Sequence, residues 1–198
     1  YEDQTQYDKA VKLITDGLEK SPDNTTLLFR LGTIQDKAGL KDQSIQTMTT
    51  LIQIDPDNAS ALNYLGYTYA DMGIKLDQAL DLISRALEQK PEDGYITDSM
   101  GWVYFQKQDY EKAVYYLERA AQLSNFEAII ADHLADAYVK AGQLTKGLDT
   151  YKKALANVKK EDIDLAGKIK EKIKDLEKEA GMCTKRCGIR RLVCMCAY

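Results

Sequence analysis

The first 182 residues of this chain contain no cysteine, and all four cysteines fall in the closing stretch CTKRCGIRRLVCMCAY. A small domain stapled by disulfides is thereby excluded for the body, and a body without thiols suits an exported protein. Histidine occurs once, at His133. A zinc centre built on several imidazoles is excluded, and no nucleophile–histidine–carboxylate set has any spacing support. Proline occurs three times and glycine twelve, which favours helices. No run of 18 apolar residues is present, so no segment has the make-up of a membrane-spanning helix. No glycine-rich phosphate loop is present either. Outside the tail, acidic residues outnumber basic ones. With Lys185, Arg186, Arg190 and Arg191 removed from the net charge of −4, the first 182 residues carry −8. Such a body is a poor nucleic-acid binder, because phosphate contacts need clustered cations. The chain starts at Tyr1 without methionine or a signal-peptide pattern, which fits removal of a leader or of a longer N-terminus.

What is present is periodic. Apolar residues make up 44% and charged residues 29%, the composition of a folded domain. Prolines stand at 22, 56 and 91, in SPDNTT, DPDNAS and KPEDGY, spaced by 34 and 35. Each proline ends one helix, and Asn24, Asn58 or Asp93 is placed to cap the next. Seven residues on, pairs with a small second member recur: Leu31-Gly32, Leu65-Gly66, Met100-Gly101 and Leu134-Ala135. Further positions recur in register: Gln35, Tyr69, Tyr104, Tyr138; Ser44, Ala79, Ala113, Gly147; Met48, Ile83, Leu117, Tyr151; Leu51, Ala86, Ala120, Ala154. The small residues let two helices approach closely, and the large ones fill the gaps between them. One helix pair cannot bury its own apolar stripe, so successive pairs must stack.

This pattern of Leu-Gly, Tyr, Ala, a large residue, Ala and Pro is identified with the tetratricopeptide repeat. The predicted fold class is all-α, a right-handed superhelix. The expected divisions are residues 1–24 as the second helix of a truncated repeat, then repeats over 25–58, 59–93, 94–127 and 128–160. A capping helix over 161–181 and a basic, Cys-rich tail over 182–198 follow. Residues 7–20, with Ala10, Ile14 and Gly17, fit only a second helix, so further repeats upstream or a cut there are expected. In the capping helix Ile163, Ala166, Ile169, Ile173, Leu176 and Ala180 form one apolar stripe, backed by charge, and Gly181 is placed to end it.

Over about residues 7–160 the chain resembles bacterial tetratricopeptide repeat proteins. The strings MGIKLDQA and DSMGWVYF resemble the terminal repeats of envelope-associated members, often lipoproteins. That resemblance implies a non-enzymatic adaptor that holds a protein partner, located in the bacterial periplasm or on the outer-membrane or extracellular side. No cofactor and no metal are expected.

In this family the first helix of each unit lines a concave groove. The residues expected there are Phe29, Arg30 and Thr33, then Asn63, Tyr64 and Tyr67. Next come Asp98, Trp102 and Phe105, then Asp132, His133, Asp136 and Lys140. Aromatics flanked by hydrogen-bonding groups are hot-spot material, though each could equally pack against the neighbouring unit. A clamp for a C-terminal carboxylate is not expected, because Asp98, Asp132 and Asp136 would repel it. An acidic, aromatic groove favours a basic or apolar segment. His133 with Asp132 and Asp136 has too few ligands to make a metal site.

The tail cysteines, Cys183, Cys187, Cys194 and Cys196, are spaced C-x3-C-x6-C-x-C. The first pair shares a face of a helix, the second a face of a strand. The spacing resembles the helix–strand staple of small secreted defensin-like peptides, which implies pairing of Cys183 with Cys194 and Cys187 with Cys196. A nested pairing, a four-thiolate metal site, and a tail foreign to the scaffold remain open. The basic, apolar tail complements the acidic repeats through Lys185, Arg186, Arg190 and Arg191. Docking onto a neighbouring copy, and hence self-assembly, is the alternative function.

Overall fold

The computed structural model describes the backbone of residues 2–187 and the side chains of residues 6–178. The described residues form ten helices and no strand. These are α1 (Glu2–Lys20), α2 (Thr25–Lys37), α3 (Lys41–Ile54), α4 (Ala59–Asp71), α5 (Leu76–Gln89), α6 (Gly94–Gln106), α7 (Tyr110–Leu123), α8 (Ala128–Lys140), α9 (Leu144–Asn157) and α10 (Ile163–Cys187). The repeat shows in the lengths: α2, α4, α6 and α8 have 13 residues each, and α3, α5, α7 and α9 have 14.

The predicted caps form. Asn24 Oδ1 accepts from the Leu27 amide, and Asn58 Oδ1 from Ala61, each at 3.0 Å. Asp93 Oδ1 accepts from the amides of Tyr95 and Ile96. Each satisfies backbone donors that have no partner inside the helix. The fourth unit lacks the proline turn. Its α8 begins after Glu127 with no side-chain cap, and Asn125 and Phe126 both take the left-handed conformation, with φ of 53° and 57°.

Close approach within each pair rests on the small positions. A Cβ on Gly66 would lie 2.6 Å from Ile83 Cγ1, and one on Gly101 would lie 2.5 Å from Leu117 Cγ. Ile83 and Leu117 are fully buried, as the register of the repeat requires. Neighbouring units are tied by side chains as well. Arg85 Nη2 donates to the Pro56 carbonyl at 2.6 Å, and Arg119 Nη2, one repeat later, to the Pro91 carbonyl at 3.0 Å. A lysine also roofs a tyrosine in three successive units: Lys75 over Tyr69, Lys112 over Tyr104 and Lys146 over Tyr138, at 4.7, 5.1 and 5.1 Å.

The core runs along the stack, from Leu28, Met48 and Leu51 through Ile83 and Val103 to Leu117, Ile130 and Tyr151. Helix α10 closes this end by burying Ile169 and Leu176 against α8 and α9. Ile163 is not part of that closure. It is 75% exposed, and the packed face of the helix begins at Leu165 instead. Gly181 does not end α10, which continues to Cys187. A glycine inside a helix costs only about 1 kcal/mol, and its neighbours are mostly good helix formers.

Candidate binding groove

Helices α2, α4, α6 and α8 carry the expected groove residues. They separate into two groups by burial. Phe29, Thr33, Asn63, Tyr64, Tyr67, Trp102 and Phe105 are half-buried, and Arg30 and Lys140 are exposed. Asp98, Asp132 and His133 are 6%, 5% and 7% exposed, and Asp136 is half-buried.

Four of the half-buried aromatics touch in two pairs. Phe29 meets Tyr64 edge to face, with ring centroids 6.1 Å apart. The Tyr64 hydroxyl donates to Asp36 Oδ2 at 2.6 Å, and Asp36 also pairs with Lys41 at 2.6 Å. Burial pushes the Tyr64 phenol up, and the hydrogen-bonded Asp36 pushes it further. Burial and the nearby carboxylates of Asp71 and Asp98 push Tyr67 up to about 12. Trp102 stacks on Phe105, with centroids 4.7 Å apart and planes 5° from parallel. On its other side the indole stacks on the His133 ring at 4.4 Å and 22°. Phe105 is braced edge-on by Tyr110 of α7. Each such pair contributes about 1 kcal/mol beyond the area it buries.

The acidic residues are used inside the protein. His133 Nδ1 donates to both oxygens of Asp98, at 3.0 and 3.1 Å. Burial pulls the imidazole down, but the Asp98, Asp132 and Asp136 carboxylates outweigh it, so its pKa stands above the ordinary value of 6.5. Lys172 of α10 bridges Asp132 Oδ2 at 2.8 Å and Asp136 Oδ2 at 2.7 Å. Asp136 also accepts from the Tyr151 hydroxyl of α9. Burial pulls the Lys172 ammonium down, and its two carboxylates more than restore it. Burial raises Asp132 despite Lys172, and its Oδ1 has no partner.

The groove expected to be acidic therefore has its carboxylates neutralised at the α8 end. The reason for expecting a basic partner falls with them, because Asp98 serves His133, and Asp132 and Asp136 serve Lys172. The half-buried aromatics lie on α2, α4 and α6. Two contributors escaped the residue pattern. Asp36 lies at the end of α2, where its spacing from Tyr64 is long-range. Lys172 had a signal: it falls between Ile169, Ile173 and Leu176 at helical spacing, on the buried stripe itself. Among the described residues no cluster of histidine, cysteine and carboxylates is arranged to hold a metal. The cysteine pairing and the tail contacts of Lys185, Arg186, Arg190 and Arg191 lie outside the described side chains.

Two sequence models, each of the tetratricopeptide repeat, match residues 2–65 and 65–128. The chain belongs to the tetratricopeptide repeat family. It is similar to the TPR repeat-containing protein PA4667 of Pseudomonas aeruginosa, 36% identical over 117 residues. That match covers 59% of this chain and 20% of the relative, so the chain spans about a fifth of that protein's length. Among solved structures it is similar to TTC0263, a thermophilic TPR protein of Thermus thermophilus. There the TM-score is 0.72 at 26% identity, covering 84% of this chain and 90% of that one. A tetratricopeptide repeat protein of Parabacteroides merdae shares the fold, with a TM-score of 0.71 at 17% identity, covering 95% of this chain and 75% of the other. This fold is an interaction scaffold, typically without catalysis of its own.

Proposed function

We propose that the chain is a non-enzymatic adaptor of the bacterial envelope that holds a segment of a protein partner against α2, α4 and α6. One observation carries the reading. Phe29, Tyr64, Trp102 and Phe105, with Tyr67 half-buried on the same helix as Tyr64, are half-exposed aromatics, and the first four are already positioned by ring contacts and by the Tyr64–Asp36 bond. Pre-positioned aromatics bind with little loss of side-chain entropy. With the carboxylates paired, the partner chemistry that fits is apolar, with hydrogen-bonding groups for Asn63 and Arg30 at the margins. The bacterial relative fits a bacterial source, and the cysteine-free body suits an exported protein. Peptides selected from a random display library on the full chain, then photo-crosslinked, test the reading. Crosslinks to α2, α4 and α6 support it. Crosslinks confined to other helices, or no enrichment at all, overturn it.

The second reading is self-assembly through the tail and the solenoid ends. It is favoured by the charge contrast between the first 182 residues, at −8, and the basic tail with Lys185, Arg186, Arg190 and Arg191. Light scattering with and without reductant, on the full chain and on a chain lacking residues 182–198, tests it. A mass independent of both overturns it.

A further inference from the structure

Trp102 and His133 are the single tryptophan and the single histidine of this chain, and they stack face to face at 4.4 Å. The histidine comes from α8, one repeat beyond the aromatic track. Its other contact is the carboxylate of Asp98, which lies on α6, one turn before Trp102 on the same helix. The three side chains thus close a ring between two repeats: indole on imidazole, imidazole to carboxylate, carboxylate and indole on one helix.

We propose that His133 in its protonated form is the positioning residue for the floor of the groove, holding Trp102 and Phe105 in place and making the groove proton-dependent. That the floor faces a partner rests on the function proposed above; the positioning itself does not.

The charges around the ring decide which form it holds. Asp98 faces His133 from α6 and is 6% exposed, so its charge has no solvent to stabilise it. From α4, Tyr67 faces Asp98, with Asp71 beyond it, and its phenol is neutral throughout the physiological range. On α8 itself stand Asp132 and Asp136. Lys172 of α10 takes both, and Tyr151 of α9 donates to the second. The cation left to balance Asp98 is the imidazolium. A neutral imidazole can keep its Nδ1–H bond, but Asp98 is then a buried charge with no counter-charge, which a protein does not hold cheaply. Water must enter or the pair must separate, and either event loosens the imidazole on which the indole stacks. A protonated ring also gains from lying on the indole face, through cation–π attraction.

The sign follows from linkage. The folded pKa of His133 stands above its unfolded value of 6.5. The stabilisation is complete below that unfolded value and is lost as the pH rises through the folded one. The floor is therefore firm in mildly acidic medium and loosens above the pKa of the folded protein.

The full chain, without any partner, provides the test. The ring proton of the sole histidine is titrated by NMR, and the fluorescence of the sole tryptophan is followed over the same range. The expected result is a histidine midpoint above 6.5 and a tryptophan transition at that same midpoint. Asp98→Asn should lower the midpoint, and His133→Phe, which keeps a stackable ring, should abolish the tryptophan transition. A histidine midpoint at or below 6.5, or a tryptophan signal that ignores the histidine, overturns the proposal. These two wild-type signals decide even if a variant fails to fold. Because no partner is present, a negative result leaves the groove reading standing, and failure to find a groove partner leaves this one standing.

Discussion

Lys172 Nζ lies 2.7 Å from Asp136 Oδ2, joining the last helix of the stack to the groove-lining helix of the fourth repeat. The same ammonium reaches Asp132, so one cation of α10 neutralises two carboxylates of α8. The capping helix is thus held by apolar burial of Ile169 and Leu176 on one line and by charge on the next.

Removing that cation leaves Asp132, whose side chain is 7% exposed, as a buried charge with no counter-ion. Breaking a buried pair from one side costs about 3–5 kcal/mol. Lys172 keeps a third of its side chain in solvent, so screening reduces the expected cost of Lys172→Ala to about 2 kcal/mol. Urea unfolding measures it. The triple variant Lys172→Met, Asp132→Asn, Asp136→Asn should recover most of the loss, because no charge is then buried unpaired.

Gly101 tests the packing of a repeat unit. A Cβ there meets Leu117 Cγ at 2.5 Å and the Leu117 backbone nitrogen at 3.2 Å, so the fully buried Leu117 side chain must shift and its backbone must give slightly. Gly101→Ala should cost about 1–3 kcal/mol, against the gain that alanine normally brings to a helix. Adding Leu117→Val should recover part of it, and thermal unfolding of the two variants decides.

The fold was legible because its information is repeated. The positions of Gly32, Gly66 and Gly101 and of Met48, Ile83 and Leu117 recur at the same spacing, so errors at one unit are corrected by the next. The caps at Asn24, Asn58 and Asp93 were legible for the same reason. The groove was legible only by position. Residue number places Asp98, Asp132 and Asp136 on the groove-lining helices, but whether a carboxylate faces solvent depends on what reaches it from elsewhere. His133 approaches Asp98 across 35 residues, one repeat, and Lys172 approaches Asp136 across 36 from the helix that follows the repeats. Periodicity sets the helices side by side but does not say which side chains pair. Lys172 showed its position, beside the stripe of Ile169, Ile173 and Leu176, but not its partners: the sequence does not say which carboxylates it reaches.

Alkaline stability should report Tyr67. Its pKa is pushed up to about 12 by burial and by Asp71 and Asp98, against about 10 for a free phenol. The folded state therefore prefers the neutral phenol. Stability is unaffected below pH of about 10 and falls as pH rises from there through the folded value. Ultraviolet titration of tyrosinate, compared with Tyr67→Phe, should show a late-ionising phenol missing in the variant, and the variant should lose less stability over that interval.

Trp102 should dominate partner binding. It is the central ring of the Phe105–Trp102–His133 stack, and central, pre-ordered aromatics carry most of the affinity of an interface. Against a peptide selected on the wild-type chain, Trp102→Ala should weaken binding by at least about 2 kcal/mol, roughly 30-fold. The gentler Phe105→Leu keeps an apolar side chain while removing the stack, and should cost about 1 kcal/mol. Tyr115→Ala is the control: Tyr115 is 61% exposed on α7, outside the track, and its removal should leave affinity unchanged. Circular dichroism and unfolding midpoints of each variant separate lost binding from lost folding. If Tyr115→Ala weakens the peptide while Phe105→Leu does not, the partner lies on the α7 surface and the aromatic track is core packing alone.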